Sequence, residues 1–186
     1  IIKSIINTQE IITIASLRAN AGAGGCFLAL ACDYVLMREG VILNTHYKTL
    51  GLYGSEYHTY LLAKKVGFKK SCELLESCLP IGALRALKIN LIDKVFNEDK
   101  NIYEKEVIDF CEKIASSDDY YEILDKKEEN RQKDEKTKAL EEYRKEELVY
   151  MKESFFNSNS SFNILRKEFV LKKEPKKTPI YLNINN

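Results

Sequence analysis

The residues best placed to do chemistry lie in the run Asn20-Ala-Gly-Ala-Gly-Gly-Cys-Phe-Leu-Ala-Leu-Ala-Cys-Asp33. Consecutive small residues there join an apolar run, Ile11 to Ala19, to an apolar helix. Glycine and alanine let a backbone approach a ligand closely. A helix N-terminus offers N–H groups without intrahelical acceptors, backed by a partial positive charge. Gly22, Ala23 and Gly24 are therefore candidates to hold an anion or a carbonyl. Phosphate is the weaker fit, because a P-loop needs Gly-Lys-Ser/Thr after its glycines and a dinucleotide fingerprint needs GxGxxG with a later acidic residue, and neither is present. A peptide N–H aimed at a thioester carbonyl, an oxyanion hole, is the competing reading. The same small residues also serve simply to pack a helix against a strand, and spacing alone leaves both open.

A second set of reactive side chains crowds the segment from Asn44 to Tyr60. His46 and His58, the only histidines, stand twelve apart with no third ligand, so no metal site is expected and each reads as a surface or hydrogen-bonded residue. Tyr47, Tyr53, Tyr57 and Tyr60 are apolar filler or hydroxyl donors. Glu56 is expected to open a helix beside the Gly54-Ser55 turn, where a carboxylate also has the plainer role of dipole partner.

The elements that must position these groups follow in a definite order. After the small-residue turn and its helix come a short strand, Tyr34 to Glu39, then Val41-Ile-Leu-Asn and a polar and aromatic loop. A helix from Tyr57 to Val66 is stopped by Gly67, a second begins near Lys69, and Pro80 to Val95 ends in a short strand. This order resembles the crotonase (enoyl-CoA hydratase/isomerase) superfamily over roughly Ile11 to Phe96. The fold it implies is α/β: the second half of a crotonase-like (ClpP/crotonase) spiral domain followed by C-terminal helices. In that family the small-residue turn gives an oxyanion-hole N–H to an acyl-CoA thioester. The two glutamates of its hydratases fall, by position, on Phe27 and Tyr47, neither an acid. Water addition needs an acid and a base in reach of the reacting atoms, so ordinary hydration is not expected.

The replacement loop from Asn44 to Tyr60, the segment Glu147-Leu-Val-Tyr-Met-Lys-Glu-Ser-Phe-Phe, and the later Phe169-Val-Leu-Lys-Lys and Thr178-Pro-Ile-Tyr-Leu are similar to the HypX/HoxX type of nickel–iron hydrogenase maturation factor. That resemblance implies a protein that makes carbon monoxide for the hydrogenase metal centre. A formyl group passes from formyl-tetrahydrofolate to coenzyme A, and formyl-CoA then loses CO in the crotonase-like pocket. On this reading Ala23 and Gly24 meet the thioester oxygen, Tyr47 and Glu56 carry the proton, and Gly22, Ala23 and Gly24 contact coenzyme A. The partners implied are an acyl-CoA substrate and hydrogenase assembly proteins. Two other readings stay open: an ordinary enoyl-CoA hydratase/isomerase, and a non-catalytic CoA-binding or assembly module.

Composition narrows the partners. The 186 residues carry 29 basic and 28 acidic side chains, a net charge of +1, which leaves no nucleic-acid footprint. No apolar run is long enough to span a bilayer and no basic-then-apolar leader is present, so no membrane partner is expected. Five cysteines, Cys26, Cys32, Cys72, Cys78 and Cys111, form no CxxC pair, and Cys26 and Cys32 fall in the apolar helix. They read as reduced structural thiols of a cytoplasmic protein. The opening Ile1-Ile-Lys-Ser-Ile-Ile-Asn lacks methionine and reads as the end of a helix, so a fragment is expected. By the resemblance, the first half of the crotonase domain with its other oxyanion donor, and a formyltransferase-like region using formyl-tetrahydrofolate, precede it.

The expected organisation is a crotonase-like half domain over 1–97, a helical region over 98–171 and an extended tail over 172–186. Tyr103, Val107, Phe110 and Ile114 make one apolar helical stripe. Ser116 to Asp119 reads as a stop and a new N-cap. Lys126 to Lys138 is nearly all charged, with Glu129 four before Lys133, which predicts a solvated face. Leu140, Tyr143, Leu148, Met151 and Phe155 are expected on the inner side of the next helix. In crotonases such helices cover the acyl-CoA pocket or mediate subunit contacts. The basic run Lys172-Lys-Glu-Pro-Lys-Lys reads as a solvated extension, with contact to a CoA 3′-phosphate as the alternative.

Overall fold

A computed structural model describes residues 1–173. Expectations that fall on 174–186, Thr178-Pro-Ile-Tyr-Leu among them, lie outside the described residues. Helix α1 (Ile2–Ile6) leads to strands β1 (Ile14–Leu17) and β2 (Ala21–Gly22) and helix α2 (Gly24–Leu30). Strands β3 (Tyr34–Arg38) and β4 (Ile42–Asn44), a 3-10 turn (Lys48–Leu50) and helices α3 (His58–Val66) and α4 (Phe68–Ser77) follow. Then come β5 (Ile81–Gly82), α5 (Ala83–Lys88) and β6 (Lys94–Phe96). One parallel sheet has the order β1-β3-β6, and a second the order β2-β4-β5, with β5 antiparallel to β4. Ile14 faces Tyr34 in the first sheet and Ala21 faces Leu43 in the second. The first two turns of chain each lay a strand in both sheets before the helix that follows, and the third lays β5 before α5 and β6 after it, which makes the α/β path a spiral.

The first strand starts later than its apolar run. Ile11 is exposed, and the chain is instead fixed at Thr13, whose N–H and hydroxyl both donate to the Asp33 carboxylate at 2.7 Å. Val35, Leu36 and Met37 of β3 are fully buried, as expected for a parallel strand covered on both faces. One cover is α6 (Lys100–Ala115), begun by Asp99, whose carboxylate accepts the Asn101 and Ile102 N–H groups. Its stripe faces inward as its spacing predicts. Tyr103 is fully buried with its hydroxyl 2.8 Å from Ser16 Oγ, and Phe110 meets the Tyr34 ring edge-on.

Two expectations about the later helices are corrected. Helix α7 (Tyr120–Thr137) is not simply a solvated face. Lys127 bridges to Asp33 at 2.7 Å, Asp134 accepts from Lys64 and from the Tyr60 hydroxyl at 2.6 and 2.8 Å, and Arg131 stands over the Tyr60 ring. Long charged side chains cover apolar surface with their stems and pair at their tips, so a charged sequence still docks. Glu129 and Lys133 do not pair, whereas Lys126 pairs with Glu122 and Arg131 with Glu135. Asp119 stands at the N-cap of α7 without a capping bond from its side chain. In α8 (Leu140–Phe156) the inner side runs through Leu140, Tyr143, Glu147 and Met151, while Leu148 and Phe155 are 45% and 43% exposed. The turn of the helix puts an acidic residue where an apolar one was expected. Helix α9 (Phe162–Val170) packs beside it, Phe162 against Phe155. All five cysteines are free, and burial pushes the Cys26 thiol up to about 12, which makes it inert. No helix among the described residues is long and apolar enough to cross a membrane.

Candidate active site

The small-residue turn has the geometry of a donor site, with one of its two expected donors taken. Ala23 is the N-cap of α2 at φ 47° and ψ −124°, a conformation that L-residues avoid and that costs on the order of 1–3 kcal/mol. Its own N–H does not point to a ligand, because it donates to the Asn44 carbonyl at 2.8 Å and extends the β2–β4 pairing. Of the two expected donors, Ala23 and Gly24, only Gly24 keeps an N–H without an acceptor among the described residues. Alanine at the N-cap has no side chain to reach the first turn, so the donor stays open. Gly22, expected as a cofactor contact, lies within β2, and a Cβ there would collide with the His46 ring. Its missing side chain makes room for that histidine.

Gly24 has two reactive neighbours. A Cβ on it would stand 3.9 Å from the Tyr47 hydroxyl and 4.0 Å from Glu56 Oε1. The Tyr47 hydroxyl donates to Glu56 Oε2 at 2.5 Å, and that oxygen also accepts the Ser55 N–H at 2.7 Å. Turn, phenol and carboxylate, at positions 24, 47 and 56, thus converge on one small space. Burial, and after it the hydrogen bond to Glu56, push the Tyr47 phenol far above its ordinary 10.0. The phenol therefore stays protonated at any physiological pH.

An aromatic box fixes the phenol. Phe27 is fully buried, worth about 1.5–3 kcal/mol, and stacks on Tyr47 with centroids 5.6 Å apart. His58 meets both rings and that of Tyr53 edge-on. Gly54, at φ +98°, lies so close that a Cβ would fall 2.6 Å from the Tyr47 ring, so only glycine lets the loop pass. Glu56 is not in a helix, as its position suggested. It lies in the bend before α3, whose N-cap is Tyr57 in the left-handed conformation.

His58 is also not a surface residue. It is 1% exposed, with Nδ1 3.1 Å from Glu147 Oε1 of α8, an ion-pair distance off the line of a well-aligned hydrogen bond. Glu147 is fully buried and accepts the Tyr57 N–H, the Thr59 N–H and the Thr59 hydroxyl at 2.8, 3.0 and 2.7 Å. Burial pushes its carboxyl up, but the close approach of His58 and the bonds from Thr59 outweigh that and hold it below its ordinary 4.5. Sequence reasoning missed Glu147. The one available signal was its register with Leu140, Tyr143 and Met151. No group of three or more His, Cys, Asp or Glu able to hold a metal occurs among the described residues.

Comparison with known proteins agrees with this fold. The family model described as enoyl-CoA hydratase/isomerase matches residues 3–176. The hydrogenase maturation factor HoxX of Bradyrhizobium diazoefficiens is 35% identical over 96% of this chain, which spans 31% of HoxX. The crystal structure of HypX from Aquifex aeolicus in complex with tetrahydrofolic acid superposes with a TM-score of 0.89 and 41% identity, covering 97% of this chain and 32% of HypX. This chain therefore spans about a third of those two proteins. An enoyl-CoA hydratase/isomerase structure from Pseudoalteromonas atlantica, 20% identical, matches with a TM-score of 0.78 over 95% of this chain and 68% of its own, which speaks to the fold alone.

Proposed function

This chain belongs to the enoyl-CoA hydratase/isomerase family, and we propose that its pocket serves hydrogenase maturation by releasing CO from formyl-CoA. The observation that carries the proposal is the Tyr47–Glu56 hydrogen bond set against the open Gly24 N–H. The similarity to HoxX and HypX along nearly the whole chain supports the maturation role. The tetrahydrofolic acid in the HypX structure supports formyl-tetrahydrofolate as the formyl source.

The reaction needs three things: a partner for the thioester oxygen, a base for the formyl proton and an acid for the leaving sulfur. The Gly24 N–H takes the first role, and one such donor is typically worth ~3–4 kcal/mol. Glu56 Oε1, the oxygen on the Gly24 side, takes the formyl proton. The C–H pair stays on carbon as the lone pair of CO, and the C–S pair leaves with sulfur. Tyr47 gives its hydroxyl proton to the thiolate and recovers one from Glu56. The products are CO and coenzyme A thiol, and the pair ends in the state in which it began. Hydration is disfavoured by Phe27, which fills the place of a hydratase acid with a ring packed on Tyr47. Coenzyme A and hydrogenase assembly proteins are the ligand and partners this reading implies, in the cytoplasm.

Gly24→Ala tests the placement. Its methyl meets Tyr47 and Glu56 at ordinary contact distance, so the variant is expected to fold. It occupies the space of the acyl group, and displacing a reacting group by 1 Å is enough for a loss on the order of 100-fold in kcat/KM for formyl-CoA. Steady-state CO release on the folded variant is the measurement, and an unchanged kcat/KM removes Gly24 from the site.

A further inference from the structure

Glu56 carries the base of the proposed reaction, yet its position is not set by the strands and helices of its own spiral turn. The loop it sits on is irregular. Gly54 turns the chain at φ +98°, and Tyr57, a bulky residue, is held at φ 57°, a conformation that non-glycine residues avoid. Something must hold this loop.

What holds it is one face of α8. Gly54 donates its N–H to Met151 Sδ at 3.1 Å. The Ser55 carbonyl accepts from the Arg144 guanidinium, which also lies over the Tyr57 ring at 5.7 Å. The Tyr57 and Thr59 N–H groups donate to the two oxygens of Glu147. Residues 144, 147 and 151 are spaced i, i+3, i+7 and share one side of the helix. They grip the backbone on both sides of Glu56 while leaving its carboxylate to Ser55 and Tyr47.

Glu147 also supplies what α3 lacks. The N-cap Tyr57 has no side-chain oxygen in reach of the first turn, and the Glu147 carboxylate, ninety residues later, accepts the N–H of the second helical residue, Thr59. A carboxylate at a helix N-terminus is the favourable charge there. His58, whose Nδ1 lies 3.1 Å from Glu147 Oε1, meets the Tyr47 ring edge-on.

We infer that Glu147, assisted by Arg144, is a positioning residue for the Tyr47–Glu56 pair: α8 acts as a clamp that caps α3 from outside and fixes the loop presenting Glu56 to Gly24. The inference rests on the proposed role of that pair. It makes the helix after the spiral part of the site's machinery, acting through backbone contacts and never touching substrate.

The test uses Glu147→Gln, which keeps shape and removes charge, and Arg144→Lys, which keeps charge and loses the planar fork over Tyr57. Both are made in the protein as its gene encodes it, with 3-fluorotyrosine at position 47. Fluorine NMR then reports the hydrogen bond of that phenol without reference to any activity, and Glu56→Gln marks the signal of the altered bond. The expected result is that both variants move or split the position-47 signal toward that of Glu56→Gln. The kcat for CO release falls on the order of tenfold to a hundredfold, with KM for formyl-CoA little changed. A folded variant of either kind that keeps both the signal and kcat overturns the clamp. If Glu147→Gln fails to fold, Arg144→Lys decides by the same readings. If the parent protein releases no CO while the fluorine signal still moves, the proposed reaction fails and the clamp stands.

Discussion

Tyr47→Phe and Glu56→Gln are each expected to slow CO release from formyl-CoA by at least ~100-fold while leaving coenzyme A affinity essentially unchanged. Tyr47→Phe removes one hydroxyl and keeps the ring that stacks on Phe27 and meets His58, so the aromatic box survives. Glu56→Gln keeps the shape and the contact with Ser55 and removes the base. A positioned acid or base typically contributes ~100- to 10,000-fold, and a group that merely packs contributes nothing to the chemical step. CO captured by a reduced haem protein, with coenzyme A binding followed by calorimetry on the same samples, separates the two. Parental rates in both variants make these residues structural and place the proton route elsewhere.

Glu147→Ala should produce the largest loss of local stability. It leaves the Tyr57 and Thr59 N–H groups and the Thr59 hydroxyl without their acceptor at once, and at ~1–3 kcal/mol for each stranded buried donor the set should cost ~3–5 kcal/mol. Hydrogen exchange of the amides at the start of α3 reads this directly, and by the same figure their protection should fall by roughly 100- to 5,000-fold. The pH dependence has a fixed sign. Because the Glu147 carboxyl titrates below its ordinary 4.5 in the folded protein, its contribution is complete above that value and lost as pH falls through the lowered one. The parent and the alanine variant should therefore differ across the neutral range and converge only in acid. Equal protection at neutral pH contradicts the cap.

Much of the spiral is legible in the sequence because its signals are local. Gly67 ends α3, the alternation of short apolar runs with helical stretches gives the strands, and the stripe from Tyr103 to Ile114 faces the sheet it must cover. The small-residue turn announces itself through composition. What composition does not carry is which N–H remains free: that depends on Asn44, twenty-one residues later, pairing with Ala23 and leaving Gly24 open. The phenol and carboxylate at positions 47 and 56 were found through resemblance, since nothing in their spacing says that a loop folds back to join them. Glu147 was hidden for a different reason. A carboxylate flanked by exposed Leu148 and Val149 reads as surface, and its burial follows only from partners ninety residues earlier. Lys127, Arg131 and Asp134 were hidden in the same way, as charges whose pairing is tertiary.

The most direct test of the central claim is to offer formyl-CoA to the protein as its gene encodes it, counting CO by haem capture and free thiol in the same reaction, with crotonyl-CoA as the parallel substrate. The account predicts CO and coenzyme A released in equal amounts and no hydration of crotonyl-CoA. Formyl-CoA left intact, or crotonyl-CoA hydrated, would contradict it.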